Sequence, residues 1–225
     1  MCFSAGASFG ASAVLATVGV VTLRKVQTPN QLPFASIPIL FAIQQFSEGM
    51  LWVALSNSDY SAWQNISMYV FLTFAQVIWP LLVPLSIWMV EKREKEKRIL
   101  LFLTGVGVIV ASYLAYCIVA YPLHAQIVGY HISYTLEFPY QLVQISGILY
   151  FISTVLSPFM SSQKRMKLLG VTILAAHFIS KMFFSEFALS VWCFFAAGLS
   201  IIVLSVITLQ SKDSQQTVKL FSWRD

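Results

Sequence analysis

Residues 91–120 read EKREKEKRILLFLTGVGVIVASYLAYCIVA. Eight consecutive charged residues, Glu91 to Arg98, give way to an uncharged stretch from Ile99 to Ala120. That stretch has the length of one bilayer crossing, roughly 17–25 apolar residues. In hydrocarbon the backbone must pair within its own segment, so the stretch reads as a helix. Apolar blocks of similar length recur, and the spans are expected at 5–23, 35–55, 66–90, 99–120, 139–158, 167–184 and 189–209. Strand-like alternation is rare, which argues against a barrel.

Composition agrees. The chain of 225 residues is 58% hydrophobic and 10% charged, where a soluble domain carries roughly 25% charge. So little charge cannot cover a water-facing surface. The formal net charge of +5 is therefore no nucleic-acid signal. Met1 to Gly10 has no basic residue ahead of its apolar run, so no cleavable leader is expected.

The basic residues set an orientation. Arg24 and Lys25 follow the first span; Lys92, Arg93, Lys95, Lys97 and Arg98 the third; Lys164, Arg165 and Lys167 the fifth. Lys212, Lys219 and Arg224 lie in the tail. Of the 14 Lys and Arg, all but Lys181 fall on one side of the bundle. Basic loops stay in the cytoplasm. The expectation is an all-α, polytopic, seven-transmembrane-helix bundle, N-out and C-in, over residues 1–210. A polar cytoplasmic tail, 211–225, follows. Glu91 to Arg98 reads as a solvated turn. Between Ile127 and Tyr134 apolar and polar residues alternate, which fits a short extended lid or an ordinary outer loop with aromatic anchors.

Polar groups within spans are costly and mark function or helix-to-helix bonding. Gln44, Gln45 and Glu48 lie three and four residues apart in the second span, and His177 and Lys181 four apart in the sixth. Counted from the basic end, Gln44 matches His177 in depth and Glu48 matches Lys181. The expected site is a polar, outward-facing pocket of Gln44, Gln45, Glu48, Gln76, Gln144, His177 and Lys181, with Gln141 nearby and Glu48–Lys181 as an ion pair. Scaffold bonding by the same residues is the alternative. Trp79, Pro80 and Pro84 are expected to kink the third span and shape the cavity. Gly6 and Gly10 form a small-residue packing pattern in the first span. His124, His131 and His177 are weak metal candidates, without zinc-motif spacing. Cys2, Cys117 and Cys193 map to outer span ends, and Cys2–Cys193 is a disulfide candidate.

The opening Met1-Cys2-Phe3-Ser4-Ala5-Gly6-Ala7-Ser8-Phe9, the segment Ile37 to Gln45 with Glu48-Gly49 and Trp52, and Trp192-Cys193-Phe194-Phe195-Ala196-Ala197 resemble an uncharacterised family of small bacterial membrane proteins, known as a domain of unknown function. The resemblance implies that Cys2, Gln44, Gln45, Glu48 and Cys193 belong to the family pattern, and it supplies no reaction or cofactor. A looser likeness to the alkaline ceramidase and adiponectin-receptor superfamily implies several His and an Asp at helical positions. Here the spans hold one His, His177, and no Asp. The last span lacks the lysine of a microbial rhodopsin.

Three functions are compatible with this pattern. One is a protein of the bacterial inner membrane that binds or transports a small polar or ionic ligand. In that reading protonation of Glu48 switches its pairing with Lys181. The second is an intramembrane lipid hydrolase with Glu48 or His177 as base and a metal-activated water. The third is a sensor or assembly partner working through lateral membrane partners. The expected partners are the lipid bilayer, a small-molecule or ion ligand, and another copy of the chain or a lateral partner.

Overall fold

The computed structural model describes the backbone of residues 4–183 and 195–222, and the side chains of these except 140, 141, 183 and 212–222. The cysteine pair Cys2–Cys193 lies outside the described residues.

Helices carry the chain, as its apolar blocks require. α1 is Ala5–Leu23, and Ser4 caps it, its hydroxyl accepting from the Ala7 N–H at 3.2 Å. A 3₁₀ turn, Pro29–Gln31, and the short α2, Leu32–Ala35, lead into α3, Ile37–Ser56. α4, Ala62–Thr73, continues through a π turn, Phe74–Ile78, into α5, Trp79–Val90. α6 is Glu94–Ala120. α7, Tyr140–Phe151, passes through a second π turn, Ile152–Leu156, into α8, Ser157–Met160. α9 is Lys164–Phe183 and α10 is Ala196–Ser222. α10 thus runs on into the segment read as a tail.

Among the described residues, five helical stretches are long and apolar enough to cross a membrane: Ala5–Leu23, Pro29–Ser56, Ala62–Val90, Glu94–Ala120 and Leu142–Met160. Ala196–Ser211 is a shorter apolar stretch. Among the described residues the architecture is all-α apart from one hairpin, consistent with a multi-pass membrane protein.

That hairpin forms between α6 and α7, where the alternation was noticed. β1, Leu123–Val128, pairs antiparallel with β2, His131–Leu136, in the register Leu123↔Leu136 to Val128↔His131. Gly129 takes φ +61 at the first turn position, where a side chain would be strained, while Tyr130 does not. Glycine first is the pattern of a II′ hairpin turn. Leu123, Ala125 and Ile132 point inward and pack with Leu51, Trp52, Phe71 and Leu72. Tyr134 stacks flat on Phe71, ring centroids 4.9 Å apart. Of the two readings of this segment, the extended one matches the structure.

A second apolar cluster fills the opposite, basic end, with Phe34, Ile37, Phe41, Trp79, Ile87, Met166, Leu199 and Val203 among its members. α1 packs most extensively on α3. Gly19 lies against Ile39 and Gly49 against Phe9, and Ser12 Oγ donates to the Ala42 carbonyl at 2.8 Å. Gly6 and Gly10, expected to pack helices, have open space around them among the described residues. The buried stripe of α1 is Ser8, Ala11, Leu15, Gly19 and Thr22, and the two glycines fall off it.

Gly107 sets the approach of α6 to α5, because a Cβ there would land on the carbonyl oxygen of Pro80. Gly105, two residues earlier, has nothing within 4 Å. Gly107→Ala should lower thermal stability in detergent by about 1–3 kcal/mol as the helices are pushed apart. Gly105→Ala should be neutral or stabilising by up to about 1 kcal/mol, because it removes only backbone freedom. Equal effects at both sites would contradict this packing.

Candidate functional site

The site is built around two prolines. Pro80 has no N–H and its ring crowds the carbonyl four residues back, so a regular α-helix is disfavoured at that point. The chain widens instead, and the Trp79 N–H reaches the Phe74 carbonyl, five residues back. The Ala75 carbonyl, which Trp79 would engage in an α-helix, accepts the Tyr150 hydroxyl at 2.8 Å. The second π turn precedes Pro158 by the same two residues that separate the first from Pro80. There the Tyr150 carbonyl takes the hydroxyls of Ser153 at 3.0 Å and Thr154 at 2.7 Å. Tyr150 therefore ties one π turn to the other. π turns recur at functional sites because they re-aim side chains within a helix.

Between them lies a cavity of about 270 Å³, where the two apolar clusters meet. Trp79, Leu114, Phe151 and the hairpin-end residues Leu136 and Phe138 supply apolar wall. Gln44, Gln76, Ser146, Tyr150, Thr154 and His177 supply polar groups. Trp79 is fixed from two directions: Phe41 stacks on it at 4.0 Å, and its Nε1–H donates to Gln44 Oε1 at 2.8 Å. His177 meets Phe151 edge-on at 5.1 Å. Among the described residues lining the cavity, none is Asp, Glu, Lys or Arg.

Of the residues expected at the site, the structure brings Gln44, Gln76 and His177 together. Gln45 and Glu48 are buried beside the cavity and do not line it. Gln45 Nε2 donates to Glu48 Oε2 at 2.8 Å. Adjacent residues on a helix point about 100° apart, so Gln44 and Gln45 cannot serve one wall. Gln144 and Lys181 are exposed. The Glu48–Lys181 pair is not formed: Glu48 is fully buried, and Arg93–Glu96, at 3.6 Å, is the one ion pair among the described residues. Counting along helices does not tell which way each side chain faces.

The three histidines are dispersed. His124 and His131 share one face of the hairpin but stand about 13 Å apart along it, and His177 lines the cavity. Among the described residues no three His, Cys, Asp or Glu form a metal-binding group. Cys117 is a buried free thiol.

A second polar assembly closes the basic end, and sequence reasoning missed it. Glu91, expected to be solvated, is 4% exposed. It lies just past the apolar stretch Ala62–Val90. Its carboxylate accepts from Ser161 Oγ at 2.7 Å, Ser162 N–H at 2.8 Å, Ser162 Oγ at 2.5 Å, and the N–H groups of Lys92 and Arg93 at 2.9 and 3.1 Å. Next to it Gln163 Nε2 donates to the Val90 carbonyl at 3.1 Å. Gln210 donates to Gln163 at 2.9 Å, and Gln31 to Gln210 at 2.8 Å. Gln31 Oε1 then takes the Gln27 N–H at 2.8 Å. This belt joins four stretches of chain distant in sequence. The run Ser161-Ser162-Gln163 before a helix was its faint signal, being rich in residues that bond to neighbouring backbone.

The chain belongs to a family of unknown function (DUF6629), whose profile matches residues 1–218. No curated protein and no solved structure matches it.

Burial alone would raise the pKa of Glu91. The hydroxyls of Ser162 and Ser161 and the backbone N–H groups of Arg93 and Ser162 outweigh it, lowering the pKa from 4.5 to about 2. A folded-state pKa below the unfolded value gives stability that is present above pH 4.5 and lost as pH falls toward 2. That stability is on the order of 2–3 kcal/mol. Acid unfolding in detergent should show wild type losing stability across this window. Glu91→Gln should start less stable at pH 7 and show a flatter profile. Parallel profiles for the two proteins would contradict this account of Glu91.

Proposed function

We propose that this DUF6629 protein is a seven-span membrane protein, N-out and C-in, whose cavity binds a small ligand entering from the hairpin side. The observation carrying this reading is the cavity itself. Its volume, about 270 Å³, is near the lower end of small-molecule sites, about 300 Å³. Apolar walls with a few convergent polar groups are the ordinary make-up of such sites.

The lining narrows the ligand's chemistry. The sequence alone favoured a polar or ionic ligand met by Glu48 and Lys181. Among the described residues of the wall neither is present and none is charged, so an ion would meet no counter-charge from them in low dielectric. The fitting molecule is compact, uncharged and amphipathic. Its hydrogen-bonding end meets Gln44, Gln76 and His177, and its apolar body lies against Phe138, Phe151 and Leu114.

The orientation rests on the basic residues. Arg24, Lys25, the 92–98 loop and 164–167 share the end opposite the hairpin. Residence in a bacterial cytoplasmic membrane, with the hairpin facing outward, follows from that reading and from the family resemblance. A green-fluorescent fusion at the C-terminus should fluoresce, and a dark but well-expressed fusion would overturn the orientation.

Gly147 offers the test of binding. It lines the cavity and a Cβ there meets nothing within 4 Å, so the position accepts a side chain at the cavity's edge. Solvent extraction of purified protein followed by mass spectrometry should recover one small uncharged molecule near stoichiometry. Gly147→Phe should fold as wild type and lose that molecule. Retention of the same molecule by Gly147→Phe would place it elsewhere and sink the cavity as the site.

A further inference from the structure

We infer that the bound ligand is passed through the protein and released at the basic end, with the Glu91–Ser161/Ser162 clasp as the gate. The inference rests on the cavity being the binding site.

Below the main cavity lies a second one of about 30 Å³ within the apolar layer. Trp79, Tyr150 and Thr154 belong to both, forming a thin common wall. Val83 and Ser86 line the lower cavity. Along α5 the order is therefore Trp79 at the wall, Val83 and Ser86 at the lower cavity, then Glu91 at the clasp. The other strand of chain repeats the order: Tyr150 and Thr154 at the wall, α8 beneath, then Ser161 and Ser162 at the clasp. Cavity, wall, lower cavity and clasp succeed one another in a single line toward the basic end.

The mechanical link is short. Each side of the clasp is the far end of a helix that begins at a π turn bordering the main cavity, α5 on one side and α8 on the other. A ligand that spreads or draws together the two turns displaces both helices, and their ends are the groups the clasp joins. The Tyr150–Ala75 hydrogen bond couples the turns themselves.

The chemistry of the clasp suits repeated opening. Glu91 is held by hydroxyls and backbone N–H groups, so parting it from Ser161 and Ser162 leaves no second charge bare. Lys92 and Arg93 adjoin it at the exposed surface and can receive the carboxylate as it meets water. With the clasp shut and the layer of Phe34, Ile37, Phe41, Leu199 and Val203 packed, the path is closed at the basic end. A cavity filled from one side and sealed on the other by a separable contact is one end state of alternating access.

Cysteine accessibility in proteoliposomes tests this. Gln76→Cys reports on the main cavity and Ser86→Cys on the lower one. Cysteines at Gln126 and Lys95 report which face a membrane-impermeant methanethiosulfonate reagent meets. Wild-type protein, with its three native cysteines, sets the background. With the clasp intact, Gln76→Cys should react from the hairpin face and Ser86→Cys from neither. Adding Glu91→Gln, or Ser161→Ala with Ser162→Ala if the first does not fold, should raise reaction of Ser86→Cys from the basic face by about tenfold or more. If Ser86→Cys stays protected in a folded, clasp-broken protein while Gln76→Cys reacts from the hairpin face, the release path is wrong and the binding reading stands. If Gln76→Cys reacts from neither face in any variant, both are wrong.

Discussion

Proline in a membrane helix removes a donor where no water can replace it, and the carbonyls it releases need other partners. Pro80 and Pro158 impose that condition twice, at corresponding points of two helices. The responses are two π turns, Phe74–Ile78 and Ile152–Leu156. One tyrosine serves both: its hydroxyl covers the Ala75 carbonyl, and its own carbonyl receives Ser153 and Thr154. The space between the widened turns is the main cavity. Phe41, Trp79 and Gln44 then hold the α3 and α5 sides of that space in place.

The placement of charge follows the same logic. Hydrocarbon does not tolerate a bare carboxylate, and the two glutamates buried among the described residues are managed differently. Glu48, inside α3, bonds to Gln45 on its own helix. Glu91, at the end of α5, is surrounded by five donors from two loops and stays ionised well below the usual carboxylate range. The first arrangement sets the Glu48 carboxylate outside the described lining of the cavity. The second concentrates charge at the end where α5, α8 and, through Gln163, Gln210 and Gln31, α10 and the start of the second span converge.

Much of this was readable from residue pattern, and the failures share a cause. Apolar length marked the helices, and the alternation around Gly129 marked the hairpin. Gln44, Gln76 and His177 stood out because amides and imidazoles are scarce in spans. Pro80 marked an irregularity in the third span without giving its π form, and Pro84, marked equally, lies within the regular α5; Pro158 carried the same signal as Pro80, but Ser157-Pro158 sits near a helix end where proline is unremarkable. What pattern did not supply is azimuth. Glu48 and Lys181 were paired by counting along their helices and do not meet, since such a count says nothing of which neighbour a side chain faces. Gly6 and Gly10 fell off the packing stripe for that reason. Glu91 looked solvated among five basic residues because Ser161 and Ser162, which supply three of its five hydrogen bonds, are about seventy positions away and nothing beside Glu91 announces them.

The central claim is that paired π turns hold open a ligand cavity between Gln44, Gln76 and His177. An experimental density map of the wild-type protein in lipid nanodiscs, purified without added ligand, tests it most directly. The account predicts both π turns, the Tyr150 hydroxyl on the Ala75 carbonyl, and compact density for a molecule or ordered waters touching the three polar side chains. Regular α-helix through residues 74–78 and 152–156, with the cavity collapsed and Gln76 and His177 turned to lipid, would contradict it.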